Sequence, residues 1–112
     1  MEIVGPALLA ISTFPDAEVA QRVSHQLVEE RLVACANILP RMQSIYRWEG
    51  KLETSEETVV FFKTTCERSN DLRSRLKELH PYDVPELIAF EIADGLPDYL
   101  RWISESCETL AN

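Results

Sequence analysis

The fold of this chain follows from the segment MQSIYRWEGKLETSEETVVFFKTT, which runs from Met42 to Thr65. Its two halves are rich in β-branched and aromatic residues, and Glu49-Gly50 between them has the length and the glycine of a two-residue hairpin turn. About seven or eight residues on each side of the turn, at ~3.3 Å per residue, predict an arm that reaches beyond ~20 Å. We therefore expect a long antiparallel hairpin in the middle of the chain.

The residues before the hairpin predict a strand, a helix and a second strand. ALLAISTF, residues 7–14, is a short apolar run rich in Leu and Ile, which is typical of a buried strand. Asp16 stands where a helix cap belongs, and apolar residues follow it at helical spacing to about Arg31. The β-rich pattern then resumes, and Pro40-Arg41 should bend that strand or interrupt its pairing.

The residues after the hairpin predict a helix, a strand and a closing helix. A leucine stripe that Pro81 terminates marks the second helix, and Thr64 and Glu67 have the spacing of a capping box before it. ELIAFEIA, residues 86–93, predicts the fourth strand, and the closing helix starts its apolar stripe at Leu96. The order β-α-β-β-α-β with a terminal helix predicts a ferredoxin-like α+β sandwich, in which two helices cover one face of an antiparallel sheet.

Length and composition limit the classes of protein that remain. A chain of 112 residues with 46% hydrophobic residues fits a single domain, residues 1–112. A net charge of -8 argues against nucleic-acid binding, and the absence of a ~20-residue apolar run and of a basic leader predicts a cytoplasmic protein without a membrane partner. Three scattered cysteines predict buried or half-buried free thiols. No phosphate-binding, hydrolase or zincin motif is present, so we expect a protein that is not an enzyme.

The tip of the hairpin, SIYRWEGK, carries the first motif that requires an explanation. Met42, Tyr46 and Trp48 alternate on one side of the arm and form apolar surface that a small sheet is poorly placed to cover. Tyr and Trp bury large areas while keeping a polar group, which is typical of an interface, so we expect a partner subunit there. The alternative is a pocket for a small ligand at the subunit junction, lined by Tyr46, Trp48 and Tyr82.

The second motif is HPYDVPE, residues 80–86. Pro81 ends the helix, and Pro85 favours extended backbone before the fourth strand, so the prolines explain a rigid corner. They do not explain the imidazole of His80 or the carboxylate of Glu86, both of which are groups that bind divalent metals. We predict a corner first, and second a weak and open metal site at His80 and Glu86.

Five segments resemble the CutA divalent-cation tolerance family, in order between Ala7 and Ile103: ERLVACANILP, SIYRWEGKLE, FFKTT, HPYDVPELIAF and DYLRWI. The resemblance implies a ferredoxin-like subunit that assembles as a homotrimer through its extended strands, with an architecture similar to the PII signalling proteins. It also implies a role in tolerance of copper and other divalent cations, with Cu²⁺ or another divalent ion as the ligand and no organic cofactor.

Copper binding in some bacterial members of that family implies three ligand positions in this chain. The family cysteine position is occupied by Ser12 and the first histidine position by Leu79, and only His80 matches. Thiolate and imidazole are ligands that copper prefers, and Ser12 and Leu79 supply neither. The expected metal contact is therefore His80, with help from Glu86.

Overall fold

The computed structural model describes residues 6–109, which form four strands and three α-helices. In chain order these are β1 (Ala7–Phe14), α1 (Ala17–Glu29), β2 (Cys35–Trp48), β3 (Lys51–Thr65), α2 (Ser69–Leu79), β4 (Ile88–Glu91) and α3 (Pro97–Ser106), with a 3-10 turn at Cys66–Arg68. The strands pair antiparallel in the order β2-β3-β1-β4. This confirms the predicted ferredoxin-like α+β arrangement. Within residues 6–109, no helix has the length and apolar character needed to cross a membrane.

The two ends of α1 follow from specific backbone contacts. At the start, the carboxylate of Asp16 accepts a hydrogen bond from the Val19 amide at 2.9 Å, as predicted. At the end, Arg31 takes a left-handed φ of 61°, and the Leu32 amide reaches back to the Leu27 carbonyl at 3.0 Å. This bond pattern closes a helix at its carboxyl end. The helix therefore ends at Glu29, before the predicted Arg31.

Two local predictions are wrong because tertiary pairing uses the residues differently. Thr64 lies inside β3, and its buried hydroxyl donates to the Leu32 carbonyl at 2.7 Å, so it does not form a capping box with Glu67. The arginine at the start of α2 makes no side-chain cap either. The fourth strand is limited to Ile88–Glu91 instead of residues 86–93, because its pairing with β1 covers those four residues.

One face of the sheet, the helix face, is covered by α1 and α2. Its strand residues Ala10, Phe14, Val60 and Phe62 are at most 1% exposed. The register pairs Ala10 with Phe62, which places both side chains on the same face. The helices complete this core with Ala20, Val23, Leu27, Leu72 and Leu76. The apolar stripes of the two helices therefore explain why this face is dry.

The opposite face of the sheet, the open face, is apolar but only partly covered. The register brings the apolar residues Leu9, Ile11, Phe61, Ile88 and Phe90 to this side, together with Lys63 opposite Leu9. Phe90 is 53% exposed and Ile88 is 49% exposed. An apolar sheet face that the chain leaves accessible is typical of an interaction surface.

Helix α3 covers one end of the sheet rather than the open face as a whole. Ile103 and Cys107 are buried in a small cluster with Ala7 and Ala34. The prediction that the apolar stripe starts at Leu96 is wrong, because Leu96 is 78% exposed at the cap position before α3. The spacing of the stripe holds only from the first turn of the helix onward.

The three cysteines are free and differ in exposure. Cys107 is buried and Cys35 is intermediate, in agreement with the predicted half-buried thiols. Cys66 is exposed at the 3-10 turn, so the prediction is wrong there. An exposed thiol is an accessible metal ligand, and metal-binding experiments on this protein require its removal.

Beyond the last residue of β1, the strands β2 and β3 continue as a two-stranded arm. Trp48 pairs with Lys51 across the turn, and the two turn residues Glu49 and Gly50 have φ values of 50° and 78°. Positive φ at both positions is what a type I′ hairpin turn requires, so the predicted turn is confirmed. The described chain measures 53 Å along its longest axis and 31 and 22 Å along the others.

The base of the arm contains a β-bulge at the predicted position. Leu39 pairs with Val59, but the next pair joins Met42 to Glu57, so β2 carries one more residue than β3 between these pairs. Arg41, in this interval, has a φ of 66°. This confirms that pairing is interrupted at Pro40-Arg41, and an extra residue on one strand is a feature that bends a strand and increases its twist.

Candidate functional site

A cleft of about 590 Å³, the arm cleft, lies between the hairpin arm and the corner that follows α2. It is lined by Thr13, Pro15, Tyr46, Trp48, Ser55, Glu56, Glu57, Pro81, Tyr82, Asp83, Val84 and Glu86. The structure therefore brings together Tyr46, Trp48, Tyr82 and Glu86, all of which the sequence singled out. His80 lies behind the wall of the cleft, bonded to the backbone of Thr13.

His80 is buried with both ring nitrogens in use. Its ring stacks on Phe14 with centroids 4.5 Å apart, and Nε2 lies 2.7 Å from the carbonyl oxygen of Thr13. Because a carbonyl can only accept, Nε2 carries the hydrogen, and Nδ1 accepts from the amide of Tyr82 at 3.1 Å. The ring is thus held in its neutral form. Burial lowers the pKa of His80, against the opposing effect of the bond to Thr13.

These contacts determine what His80 offers a metal. A metal ion needs a ring nitrogen with a free lone pair, and each nitrogen of His80 is already bonded to a backbone group. Among residues 6–109 there is no group of three or more His, Cys, Asp or Glu side chains arranged to hold a metal ion. In this conformation His80 connects the corner to β1 through its hydrogen bond to the Thr13 carbonyl. The metal contact at His80 stays a prediction that requires the ring to release one bond.

Tyr82 connects the corner to the arm. Its hydroxyl donates to the carboxylate of Glu57 at 2.7 Å, and its ring lies 4.7 Å from that of His80 at 51°. Burial, followed by the bond to Glu57 and its negative charge, raises the pKa of Tyr82, so the phenol stays protonated and continues to donate. His80, Tyr82 and Glu57 therefore form a chain of contacts from the core to the wall of the cleft.

Glu86 is fixed by its backbone and projects an exposed side chain. The hydroxyl of Ser12, which is fully buried, donates to the backbone carbonyl of Glu86 at 2.6 Å. Partial desolvation, followed by the nearby charge of Glu57, raises the pKa of the Glu86 carboxyl. Ser12 thus has a structural role, because its buried hydroxyl holds the backbone from which the Glu86 side chain projects.

The lining of the arm cleft combines aromatic rings with carboxylates. The strand register places Tyr46, Trp48 and Glu57 on the same face of the arm. Glu56 also borders the cleft, but its register partner Gln43 places its side chain on the other face. Neither Lys nor Arg occurs among the described residues that line the cleft. The site therefore suits a cation and repels an anion.

Sequence reasoning missed Glu57, Ser55 and Thr13. A signal for the first two was available, because counting outward from the Trp48–Lys51 pair places Ser55 and Glu57 on the face that carries Tyr46. Thr13 acts through its backbone carbonyl, which no side-chain pattern reveals. The hydroxyl of Ser55 lies 3.3 Å from that of Tyr46 and helps to orient its ring.

Comparison with known proteins finds relatives that match nearly all of the described chain. The sequence profile of the CutA1 divalent ion tolerance protein family matches residues 8–106. The Divalent-cation tolerance protein CutA of Thermus thermophilus is 45% identical over 98 residues, which cover 88% of this chain and 95% of that protein. The crystal structure of CutA from Xylella fastidiosa is similar, with a TM-score of 0.89, 44% identity and coverage of 91% and 98% of the two chains. The crystal structure of CutA1 from Oryza sativa is also similar, with a TM-score of 0.91 and 36% identity, and the match covers 94% of this chain and 96% of that chain.

Proposed function

This chain belongs to the CutA1 divalent ion tolerance family, and on that premise we propose that it is a non-enzymatic, cytoplasmic protein of the divalent-cation response that binds a cation in the arm cleft. The observation that supports this site is the pair of carboxylates, Glu57 and Glu86, in a cleft whose described lining has no Lys or Arg. The raised pKa of Glu86 means that its ionised form lacks compensation. A bound cation supplies that compensation.

The proposed metal site uses Glu86 first and His80 second. The carboxylate of Glu86 borders the cleft, whereas His80 contributes a nitrogen only after its Nδ1 loses the Tyr82 amide. For a given set of nitrogen and oxygen ligands, Cu²⁺ binds more tightly than Mn²⁺ or Zn²⁺. We therefore propose Cu²⁺ as the strongest binder of the divalent ions, at an open and weak site that needs no organic cofactor.

Calorimetric titration of Cu²⁺, Zn²⁺ and Mn²⁺ tests the metal site. All proteins carry Cys66→Ser, which removes the exposed thiol. We expect Glu86→Gln to weaken Cu²⁺ binding about tenfold or more, since a charged ligand is lost, and Glu105→Gln, an equal loss of charge on α3, to leave it unchanged. His80→Gln, checked for native circular dichroism, measures the contribution of the ring. Equal Cu²⁺ affinity in wild type, Glu57→Gln and Glu86→Gln would exclude this site.

The proposed assembly is a homotrimer, in which copies of this chain cover the open face. The support is the exposure of Phe90 and Ile88 on an apolar sheet face, which is costly to leave in water. Sedimentation at micromolar concentration should give three subunits per particle. Phe90→Asp should give a smaller particle with unchanged helix and strand content, because it places a charge in the interface. A monomeric wild type would contradict the proposal.

A second candidate function is that of a PII-like scaffold whose signal is a small organic ligand. It is favoured by one observation, the convergence of Tyr46, Trp48 and Tyr82 on one cleft of about 590 Å³, a volume typical of small-molecule sites. A thermal-shift screen against metals and metabolites separates the two functions, because a ligand of the native state raises the melting temperature. Stabilisation by a metabolite that Trp48→Leu abolishes would support the second function.

A further inference from the structure

We propose that the arm cleft binds a small organic ammonium ion, with its charge between the carboxylates of Glu57 and Glu86 and its alkyl groups against the ring of Trp48. The proposal rests on the second function above, that of a small-ligand scaffold, and it specifies the chemical class of the ligand. It does not require that a divalent metal binds.

The aromatic wall of the cleft is the first argument. Trp48 is 45% exposed and Tyr46 41% exposed, and the alternation of β2 places both on the same face of the arm. The contact between the hydroxyls of Ser55 and Tyr46 keeps one of these rings oriented. A bare metal ion makes no use of such rings, whereas an alkylated ammonium gains from contact with their faces, most of all with that of Trp.

The charge of the cleft is the second argument. Glu57 faces the cleft from the arm and Glu86 from the corner, and the described lining contains no cation to neutralise them. The register places Lys51 on this face opposite Trp48, at the tip of the arm and outside the lining, and it places Glu53 on the same face opposite Tyr46. A phosphorylated or carboxylated ligand would be repelled by this arrangement, and a neutral ligand would gain nothing from the charge of the two carboxylates.

The combination of the two walls separates an organic cation from other ligands. The acidic wall alone would suit a metal, and the aromatic wall alone would suit any apolar ring. An ammonium with methyl groups is poorly hydrated and spreads its charge over apolar surface, so it contacts both walls at once. Tyr82 also lines the cleft, and its hydroxyl is bonded to Glu57.

The test uses choline and its neutral carbon isostere, 3,3-dimethyl-1-butanol, which have the same shape and differ in charge. The chain has two Trp residues, so Trp102→Phe leaves Trp48 as the only source of Trp fluorescence. We expect choline to change this fluorescence with a saturable dependence on concentration. The isostere should bind about tenfold more weakly or worse, because it gains neither the carboxylates nor the cation–π contact.

Matched variants locate the site. Glu57→Gln and Glu86→Gln should each weaken choline binding by about fivefold or more, measured by calorimetry, while Glu105→Gln on α3 should not. Trp48→Leu should abolish binding, and Trp102→Leu should preserve it. Glu86→Gln keeps the shape of an exposed side chain, so its effect does not depend on whether Trp48→Leu folds and assembles normally.

The outcomes distinguish this inference from the metal function. Choline binding that depends on Trp48 and Glu86, together with no Cu²⁺ binding at the cleft, would support the inference and remove the metal site. Cu²⁺ binding that depends on Glu86 but not on Trp48, with no choline binding at millimolar concentration, would overturn the inference alone. Equal affinity for choline and for its neutral isostere would also overturn it.

Discussion

The two faces of the sheet differ in how completely the chain covers them. On the helix face, Phe62 is fully buried beneath α1 and α2, whereas on the open face Phe90 keeps 53% of its surface exposed. Both faces are built from large apolar residues on adjacent strands, so composition does not cause the difference. The difference follows from topology, because both helices between strands lie on one side. The comparison teaches that one sheet can bury one face in a core and leave an apolar surface accessible on the other.

The largest expected effect comes from removing the same ring on each face. Phe62→Ala should lower the free energy of unfolding by about 3–5 kcal/mol, because it leaves a cavity in a packed core. Phe90→Ala should cost about 1 kcal/mol or less in the separate chain, because much of that ring is already in water. Urea denaturation at several protein concentrations measures both.

The concentration dependence sharpens this comparison. If further copies cover the open face, the cost of Phe90→Ala should rise with protein concentration, since association stabilises only the wild type fully. Similar losses for both variants at the lowest concentration would break the distinction between the two faces.

A smaller effect is expected from removing one hydroxyl on each face. Ser12 lies on the helix face, and Ser12→Ala would leave the Glu86 carbonyl without its 2.6 Å donor. We expect a loss of about 1–3 kcal/mol in the free energy of unfolding. Ser55→Ala, which removes a 3.3 Å contact on the open face, should change it by about 0.5 kcal/mol or less. Equal losses for the two variants in thermal or urea denaturation would show that the buried hydrogen bond of Ser12 contributes no more to stability than the exposed contact of Ser55.

The smallest expected effect is the dependence of stability on pH. Because burial lowers the pKa of His80, the native state binds fewer protons at this ring than the unfolded state. The resulting stability is complete above the unfolded pKa of ~6.5 and is lost as the pH falls through the lower native value. Glu86 acts in the opposite direction, since its raised pKa gives stability below ~4.3 that is lost as the pH rises.

Two substitutions isolate the contribution of His80 to this dependence. His25→Gln removes the other histidine, whose side chain is 85% exposed. Glu86→Gln removes the carboxyl whose effect on the pH dependence is opposite to that of His80. In this double variant, urea unfolding between pH 8 and 5 should give a free energy that falls below pH ~6.5. A constant free energy over that range would contradict the neutral, doubly bonded ring.

Much of the fold was predictable from the sequence because its signals are local. The Asp16 cap, the Glu49-Gly50 turn and the bulge near Arg41 each depend on residues next to one another in the chain. The order of strands and helices then restricts the topology to few choices. The capping box at Thr64 failed for the opposite reason, since its hydroxyl bonds to Leu32, far away in sequence.

The chemistry of the candidate site was predictable only in part. Tyr46, Trp48, Tyr82 and Glu86 were identified as residues, and the structure places them on one cleft. The state of His80 could not be inferred, because a backbone carbonyl 67 positions away occupies one ring nitrogen. A sequence pattern records which side chains are present, but not which backbone groups compete for them.

The bulge at the base of the arm separates two independent registers within one strand. At the base, even-numbered residues of β2 such as Ile38 share a face with Val60 and the helices, whereas at the tip Tyr46 and Trp48, also even-numbered, share the opposite face with Glu57. A strict alternation from Ile38 would send both rings to the helix side. The two-residue turn therefore determines the face on which Tyr46 and Trp48 lie. The extra residue at the bulge makes this register compatible with the different register at the base of β2. An extra residue at the bulge would leave Trp48 in the cleft. A one-residue change in the length of the turn would instead move Trp48 to the other face of the arm. The fluorescence response of Trp48 to choline would distinguish these two variants.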